Sequence, residues 1–418
     1  MRAARRLARS AGAAALALLL SLPLAGCDPK AKTAQTIDAQ WHRQALLDGH
    51  LSKWLALAPT PSGMFLTAFD RDWRPRPNQA AVELTLQARL VYAMAIGYEL
   101  SRDRRYLEAA TRGGDFLLEH FHDPVNGGFF HVVAADGKLV ADIKRTYGQA
   151  FALYALSHLY RVTQDERYRK AALRSWQEIA AGLRAPNGGF VNEATRNFSP
   201  MTGARTQNPL MHLFEALLAL HEATGDAAAL AGAKQLGDFV VYKLLQGRPD
   251  GGAMIAEWYD ASWVPLPTRE AGGYVDLGHQ FEWSHLLQTA ARQGVSPLYG
   301  PVAERLLQYA LQKGYDDVDG GAFNRADPDG ERVVREKFAW QQAECLHAMI
   351  VGAQTTGRND LLRRYEQTLA LIRNELIDPR GGWKGGALQT CQRISCGDEQ
   401  LDPYHMTSMH RAAIEAGR

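Results

Sequence analysis

The chain has 418 residues, 46% of them apolar and 22% charged, with a formal net charge of +2. That balance excludes the basic surface nucleic-acid binding asks for, and the apolar content is enough for a large core. The four cysteines, Cys27, Cys345, Cys391 and Cys396, are not spaced as a four-ligand zinc set.

The first element stands outside the fold. MRAARRLARS carries Arg2, Arg5, Arg6 and Arg9; an apolar run, AGAAALALLLSLPLAG, follows, and then Cys27. A basic head, a short apolar body and small residues before a cut read as a secretion signal over 1–26. The run falls short of the about 20 apolar residues of a membrane span. LAGC resembles the bacterial lipobox, so Cys27 is expected to be lipidated, with 27–36 a tether to one domain over 37–418. The expected location is the bacterial cell envelope, as a lipoprotein facing the periplasm or exterior. Without the four signal arginines the net charge is −2.

From residue 37 onward the pattern is helical and it repeats. SGMF, NGGF (twice), DGGAM, DGGAF and RGGWK place glycines at Gly63, Gly128, Gly189, Gly252, Gly321 and Gly382, at spacings of 65, 61, 63, 69 and 61 residues. A fixed period of this kind signals a repeat architecture. Helices are expected before these glycines, near 37–57, 104–121, 166–183, 226–246, 298–314 and 360–376. A second set is expected after them, near 80–102, 145–163, 208–224, 276–294, 336–357 and 404–417. Glycine tolerates positive φ, so each glycine pair reads as a tight reversal between the two helices of a pair. FFHVVAADGKLV and similar pieces read as small hairpins. Six pairs without polar capping repeats suggest a closed all-α (α/α)6 barrel rather than an open solenoid.

Cys345 lies in an apolar helix and reads as core. Cys391 and Cys396 enclose QRIS; in an oxidising compartment they can bridge, and two free thiols are the other reading.

Polar residues gather in the first turns of the second helices. The second position of each reads Gln87, Gly148, His212, His279, Gln341 and His405, and three residues on stand Leu90, Phe151, Glu215, Glu282, Glu344 and Ser408. Positions i and i+3 share a helix face, so in a closed ring these faces converge on one mouth. The glutamates can also be helix caps. Trp283, Trp340 and Trp383 are either core or sugar-stacking surfaces. His285, His347 and His410 fall elsewhere and read as packing or surface residues.

GHQFEW at 278–283, NPLMHLFEALLAL at 208–220, KFAWQQAE at 337–344, RTYGQAFALYAL at 145–156 and Tyr404-His405 resemble the N-acylglucosamine 2-epimerase family, which includes cellobiose 2-epimerases and bacterial mannose isomerases. The resemblance runs in order along nearly the whole domain, and the family's (α/α)6 barrel agrees with the period. GH-x-x-EW and N-x-x-MH look more like the mannose isomerase branch, and YGQAFALYAL more like the cellobiose branch. The resemblance implies His279 and His405 as the acid/base pair. It implies Arg89, Tyr147, Asn208, His212, Glu282 and Trp340 as substrate-pocket residues. Two departures stand out: Ala339-Trp340 where the family often has two tryptophans, and the CQRISC insertion ahead of His405.

The implied chemistry is removal of the C2 proton of an open-chain aldose by a neutral imidazole, through an enediolate. Glu282, one turn from His279, is expected to orient that ring, and Arg89 to stabilise oxygen charge. Mannose–fructose isomerisation is expected ahead of N-acylglucosamine or cellobiose 2-epimerisation. No metal and no nicotinamide is called for, and no G-x-G-x-x-G follows a strand. A hydrolase on the same toroid would use two of Glu215, Glu282, Glu344 and Asp402. A non-catalytic sugar-binding lipoprotein would bind without turnover. The expected partners are a small sugar and, through the lipid, a membrane.

Overall fold

A computed structural model describes residues 37–393 and 396–418. The signal segment, Cys27 and its tether lie outside the described residues. Six inner helices, Leu84–Ser101, Thr146–Thr163, Asn208–Thr224, Leu277–Arg292, Ala339–Thr356 and Tyr404–Ala416, follow one another around a ring. Each packs on the next, and the sixth packs on the first, so the barrel is a closed (α/α)6 toroid. These helices are buried nearly all round, as helices walled in on every side must be. Outer helical stretches at 39–57, 104–121, 166–182, 227–244, 299–314 and 359–376 wrap them. Their apolar residues form one stripe; Tyr106, Ala109, Ala110, Gly113 and Phe116 are the buried face of one.

The repeat is phased differently from the expectation. An inner helix ends at a residue with left-handed backbone, such as Arg102, Gln164 or Gly225, at φ of 62°, 57° and 69°. The next residue is an aspartate whose carboxylate caps the following outer helix, Asp103 accepting from Arg105 N–H, Asp165 from Arg167 N–H and Asp226 from Ala229 N–H. So short a link makes the two helices an antiparallel hairpin. The tight pairs are therefore inner helix and following outer helix, and the stretch at 39–57 is left to pack on the sixth inner helix, Tyr404–Ala416. The glycine pairs sit in the longer links, which carry the small sheets. One sheet is antiparallel Ala81–Glu83, Val132–Ala134 and Leu139–Ala141.

A glutamine on the next inner helix clamps these links. Gln149 takes the N–H of Phe129 and donates to its carbonyl, at 2.8 and 2.6 Å. Gln280 does the same to Ile255 and Gln342 to Ala322. Gln87 holds Phe65 N–H and the Gly63 carbonyl. The glycines make room for the clamp: a Cβ on Gly321, at φ +85°, would lie 2.3 Å from Gln342 Oε1. Four of the six links are thereby pinned to the first turns of an inner helix, which fixes much of the rim of the barrel mouth.

A six-residue helix, Leu388–Arg393, was not expected. It lies in the insertion, and Cys391 and Cys396 are bridged. Cys345 is buried and free.

Candidate active site

At the N-terminal ends of the inner helices lies a cavity of about 760 Å³. First turns supply Arg89, Tyr147, Asn208, His212, His279, Trp340 and His405, and the clamped links supply residues such as Glu257 and Asp276. Seven of the eight expected side chains are thus brought together. The exception is Glu282, which lies behind the wall, buried, 3.8 Å from His212 Nδ1. It does not orient His279.

Glu257 takes that role. Its Oε2 is 2.7 Å from His279 Nδ1. Gln207 Oε1 accepts from Trp283 Nε1, so Gln207 Nε2 must donate, and it does so to Glu257 at 2.8 Å. Thr206 Oγ1 donates to the other Glu257 oxygen at 2.7 Å. Asp276 caps the helix by accepting from His279 N–H at 3.1 Å. Burial works against a charge on His279, but Glu257 and Asp276 outweigh it and raise its pKa to about 10. His279 is therefore an imidazolium at neutral pH, with Nε2 left for a ligand.

His405 is held by Glu344, with Nδ1 2.7 Å from Oε1. Here burial dominates and pushes the imidazole well below its ordinary value, aided by Arg89. Burial also lifts the Glu344 carboxyl well above its own, aided by Glu215. Both shifts favour a hydrogen bond between neutral groups over an ion pair. Trp340 contacts both histidines, its ring 5.0 Å from that of His279 and 5.4 Å from that of His405.

Arg89 donates to Asp402 at 3.1 Å and to the Tyr147 hydroxyl at 2.7 Å, and its guanidinium lies 4.4 Å from the Phe151 ring. His212 sits 3.3 Å from Glu215, and burial lowers its pKa to about 4. Asn208 Oδ1 is buried with no partner among the described residues, a free acceptor for a hydroxyl. Glu257 and Gln207 were missed because they stand on irregular links with no periodic signal. Asp276 was legible as a cap three residues before His279.

Two sets of donors could be weighed for a metal, His285/Glu344/His347 and Glu282/Glu344/His405, each within 4.8 Å. The His285 and His347 rings are stacked at 3.8 Å with 20° between planes. An ion shared by such rings would sit out of the plane of at least one imidazole, away from its lone pair. In the second set His405 Nδ1 is already hydrogen-bonded to Glu344.

The profile of the N-acylglucosamine 2-epimerase (GlcNAc 2-epimerase) family matches residues 63–406. The chain is 29% identical over 370 residues to the N-acylglucosamine 2-epimerase of Bos taurus, covering 85% of each. It is 30% identical over 375 residues to the mannose-6-phosphate isomerase of Rhizobium meliloti (strain 1021), covering 82% of this chain and 89% of that one. The cellobiose 2-epimerase of Bacillus thermoamylovorans B4167 shares the fold, at a TM-score of 0.80 and 20% identity over 90% of this chain and 98% of that one. With this match over most of its length, the chain belongs to the N-acylglucosamine 2-epimerase family and is an isomerase-type enzyme, a sugar epimerase or isomerase.

Proposed function

We propose that the enzyme moves the C2 proton of an open-chain, unphosphorylated aldose, and that its reaction is aldose–ketose isomerisation of the mannose/fructose type. The observation that carries this is the pair of histidines that both contact the Trp340 ring, each with a glutamate 2.7 Å from Nδ1, the surroundings favouring the charged form of His279 and the neutral form of His405. His405, neutral, takes the proton from C2 through Nε2, and the C–H electron pair becomes the enediolate. His279, as imidazolium, donates to the oxygen on C1, and Arg89 adds positive charge nearby. Return of the proton from His405 to C1, with loss of the O2 hydroxyl proton to His279, gives the ketose and restores both histidines. Trp340 offers an apolar face to the sugar.

The cavity's charge supports an unphosphorylated substrate. Five carboxylates line it, Glu83, Glu193, Glu257, Asp276 and Asp402, against the Arg89 and Arg145 guanidiniums and the His279 ring, which is itself paired with Glu257. Both guanidiniums are already paired, with Asp402 and Glu193. A phosphate would meet an excess of negative charge.

A 2-epimerase reading on N-acylglucosamine or cellobiose uses the same pair. If His279 Nε2 delivers its proton to C2 on the face opposite His405, the product is the C2 epimer. Two acid/base groups rather than one favour it, and relatives named for that reaction support it. The hydrolase reading loses ground because Glu215, Glu282 and Glu344 lie behind the cavity wall. We further propose that the enzyme is an envelope lipoprotein anchored through Cys27. Its support is the basic, apolar and LAGC sequence at the N-terminus together with the Cys391–Cys396 bridge, which suits an oxidising compartment.

Incubation in D2O with mannose, fructose, glucose, N-acetylmannosamine or cellobiose, followed by proton NMR, tests the chemistry. The expected result is loss of the mannose C2 proton with appearance of fructose, abolished in His279→Ala. A new C2 epimer instead selects the second reading. Silence with every sugar overturns both.

A further inference from the structure

Glu344 is buried, yet both its oxygens are engaged by imidazoles that belong to different cavities. Oε1 meets His405 Nδ1 at 2.7 Å, and Oε2 meets His285 Nε2 at 2.8 Å. His285 stacks on His347 at 3.8 Å, and both line a second cavity, of about 530 Å³. That cavity is formed by the C-terminal halves of the inner helices, at the opposite end of the barrel. Its edge includes exposed Glu222, Arg292, Gln354 and Glu415, so it reaches solvent. His279 has no such continuation, because Thr206 and Gln207 occupy the rest of Glu257.

We propose that Glu344 and His285 carry protons between His405 and the solvent of this second cavity, through the floor of the active site. The inference rests on the proton-transfer reading of His405. While His405 holds the C2 proton on Nε2, burial and the nearby Arg89 disfavour an imidazolium there, so its Nδ1 proton needs a way out until the C2 proton is passed on.

The steps balance one proton in against one proton out. His405 Nε2 accepts the proton from C2, while Nδ1–H passes its proton to Glu344 Oε1. Glu344 Oε2–H passes its proton to His285 Nε2, and His285 Nδ1–H releases one to water in the second cavity. Every group ends neutral with its hydrogen bond reversed. Reversal of the four steps resets the chain. A neutral imidazole and a protonated carboxyl are what such a hand-over needs, since each must accept on one atom and donate from another.

Two variants test it. His285→Gln keeps an amide hydrogen bond to Glu344 but cannot pass a proton through. His285→Ala opens a space next to the second cavity that free imidazole can fill. The first readout needs no sugar: in 15N-histidine-labelled protein, exchange of the His405 Nδ1 proton with water is measured by NMR. It should slow roughly tenfold or more in His285→Gln, and added imidazole should restore it in His285→Ala. The second readout is turnover, on whichever sugar the wild type converts. It should fall roughly tenfold to a hundredfold with KM unchanged, less than the 10²–10⁴-fold of removing the base itself, and recover with imidazole. Folded variants with wild-type exchange overturn the relay, as does lost turnover that imidazole does not restore. A wild type that converts no sugar overturns the catalytic reading instead, and the exchange readout still decides the relay.

Discussion

His279 and His405 stand at similar distances from one tryptophan, 5.0 and 5.4 Å, and each has a glutamate 2.7 Å from Nδ1. By their nearest contacts alone they are twins. They differ in what surrounds the glutamate. Glu257 sits on the rim link with two further donors, Thr206 and Gln207, and with Asp276 near the ring it favours an imidazolium. Glu344 sits in the floor beside other buried carboxyls and the Arg89 charge lies near the ring, so both partners are pushed toward the neutral form. The lesson is that a His–Glu pair is an acid or a base according to how many other charges and donors share its pocket.

The largest effect should come from removing either ring. His279→Ala and His405→Ala should each lower kcat by about 10²–10⁴-fold with little change in KM, and the double variant should cost little more than the worse single one. Steady-state kinetics on the converted sugar check this. A single variant within tenfold of wild type would break the division into acid and base.

Glu257→Gln should sharpen the comparison by converting the His279 side toward the other. The active form needs His279 protonated, so wild-type activity is retained as pH rises and lost only near its pKa of about 10. Without the Glu257 charge that alkaline limb moves toward lower pH. Above the new pKa the protonated fraction falls about tenfold per pH unit. The acid limb belongs to His405 and lies below the ordinary histidine range, since activity is lost only once that ring is protonated; the variant should leave it in place. A pH profile of kcat in which both limbs move together would contradict separate surroundings.

Asp402→Asn should act more weakly and on binding. Asp402 pairs with Arg89 from a partly open position, with side chains 22% and 10% exposed, so the pair is worth about 1 kcal/mol or less. KM for a neutral sugar should rise about fivefold at most. Inhibition by a sugar phosphate should strengthen, because Arg89 then lacks its counter-charge. Unchanged phosphate inhibition would argue that Arg89 does not face the substrate.

Much of this division was legible in the residues, and the limits are physical. Helix spans came out within a few residues because 3.6-residue periodicity, aspartate caps and glycine stops all agree, as at Asp226 after Gly225. Seven of the eight expected side chains line one cavity because the N-terminal turns of the inner helices fall at a fixed repeat position. The pairing of helices was misphased because spacing does not say which of two links is the tight one. Glu282 was assigned the role of Glu257 because helix spacing reveals neighbours on the same helix and not a link folded over from the preceding repeat. His285 and His347 passed as packing residues because nothing local shows that the barrel has a second open end.

The smallest effect should come from the disulfide, and it should fall on one side only. The bridged segment braces the start of the fifth inner helix: Ala387 N–H donates to Lys337 O at 3.0 Å, Lys337 N–H to Thr390 Oγ1 at 2.6 Å, and Ala339 N–H to Gly385 O at 3.0 Å. That helix start carries Trp340. The start of the fourth inner helix, which carries His279, is held by its own cap, Asp276, and by the Arg325–Ala326 strand, with Leu277 N–H donating to Asn324 O at 3.0 Å, none of which belongs to the bridged segment. Cys391 and Cys396 are five residues apart, so opening the bridge releases a short loop, at a cost of about 2 kcal/mol. In Cys391→Ser/Cys396→Ser, Tm should fall by less than about 4 °C, the scale for a chain this long. Amide exchange should quicken over Lys337–Trp340 and stay unchanged over Asp276–His279. Equal quickening at the two helix starts would mean that the insertion supports the whole mouth, and that the two histidines share one scaffold after all.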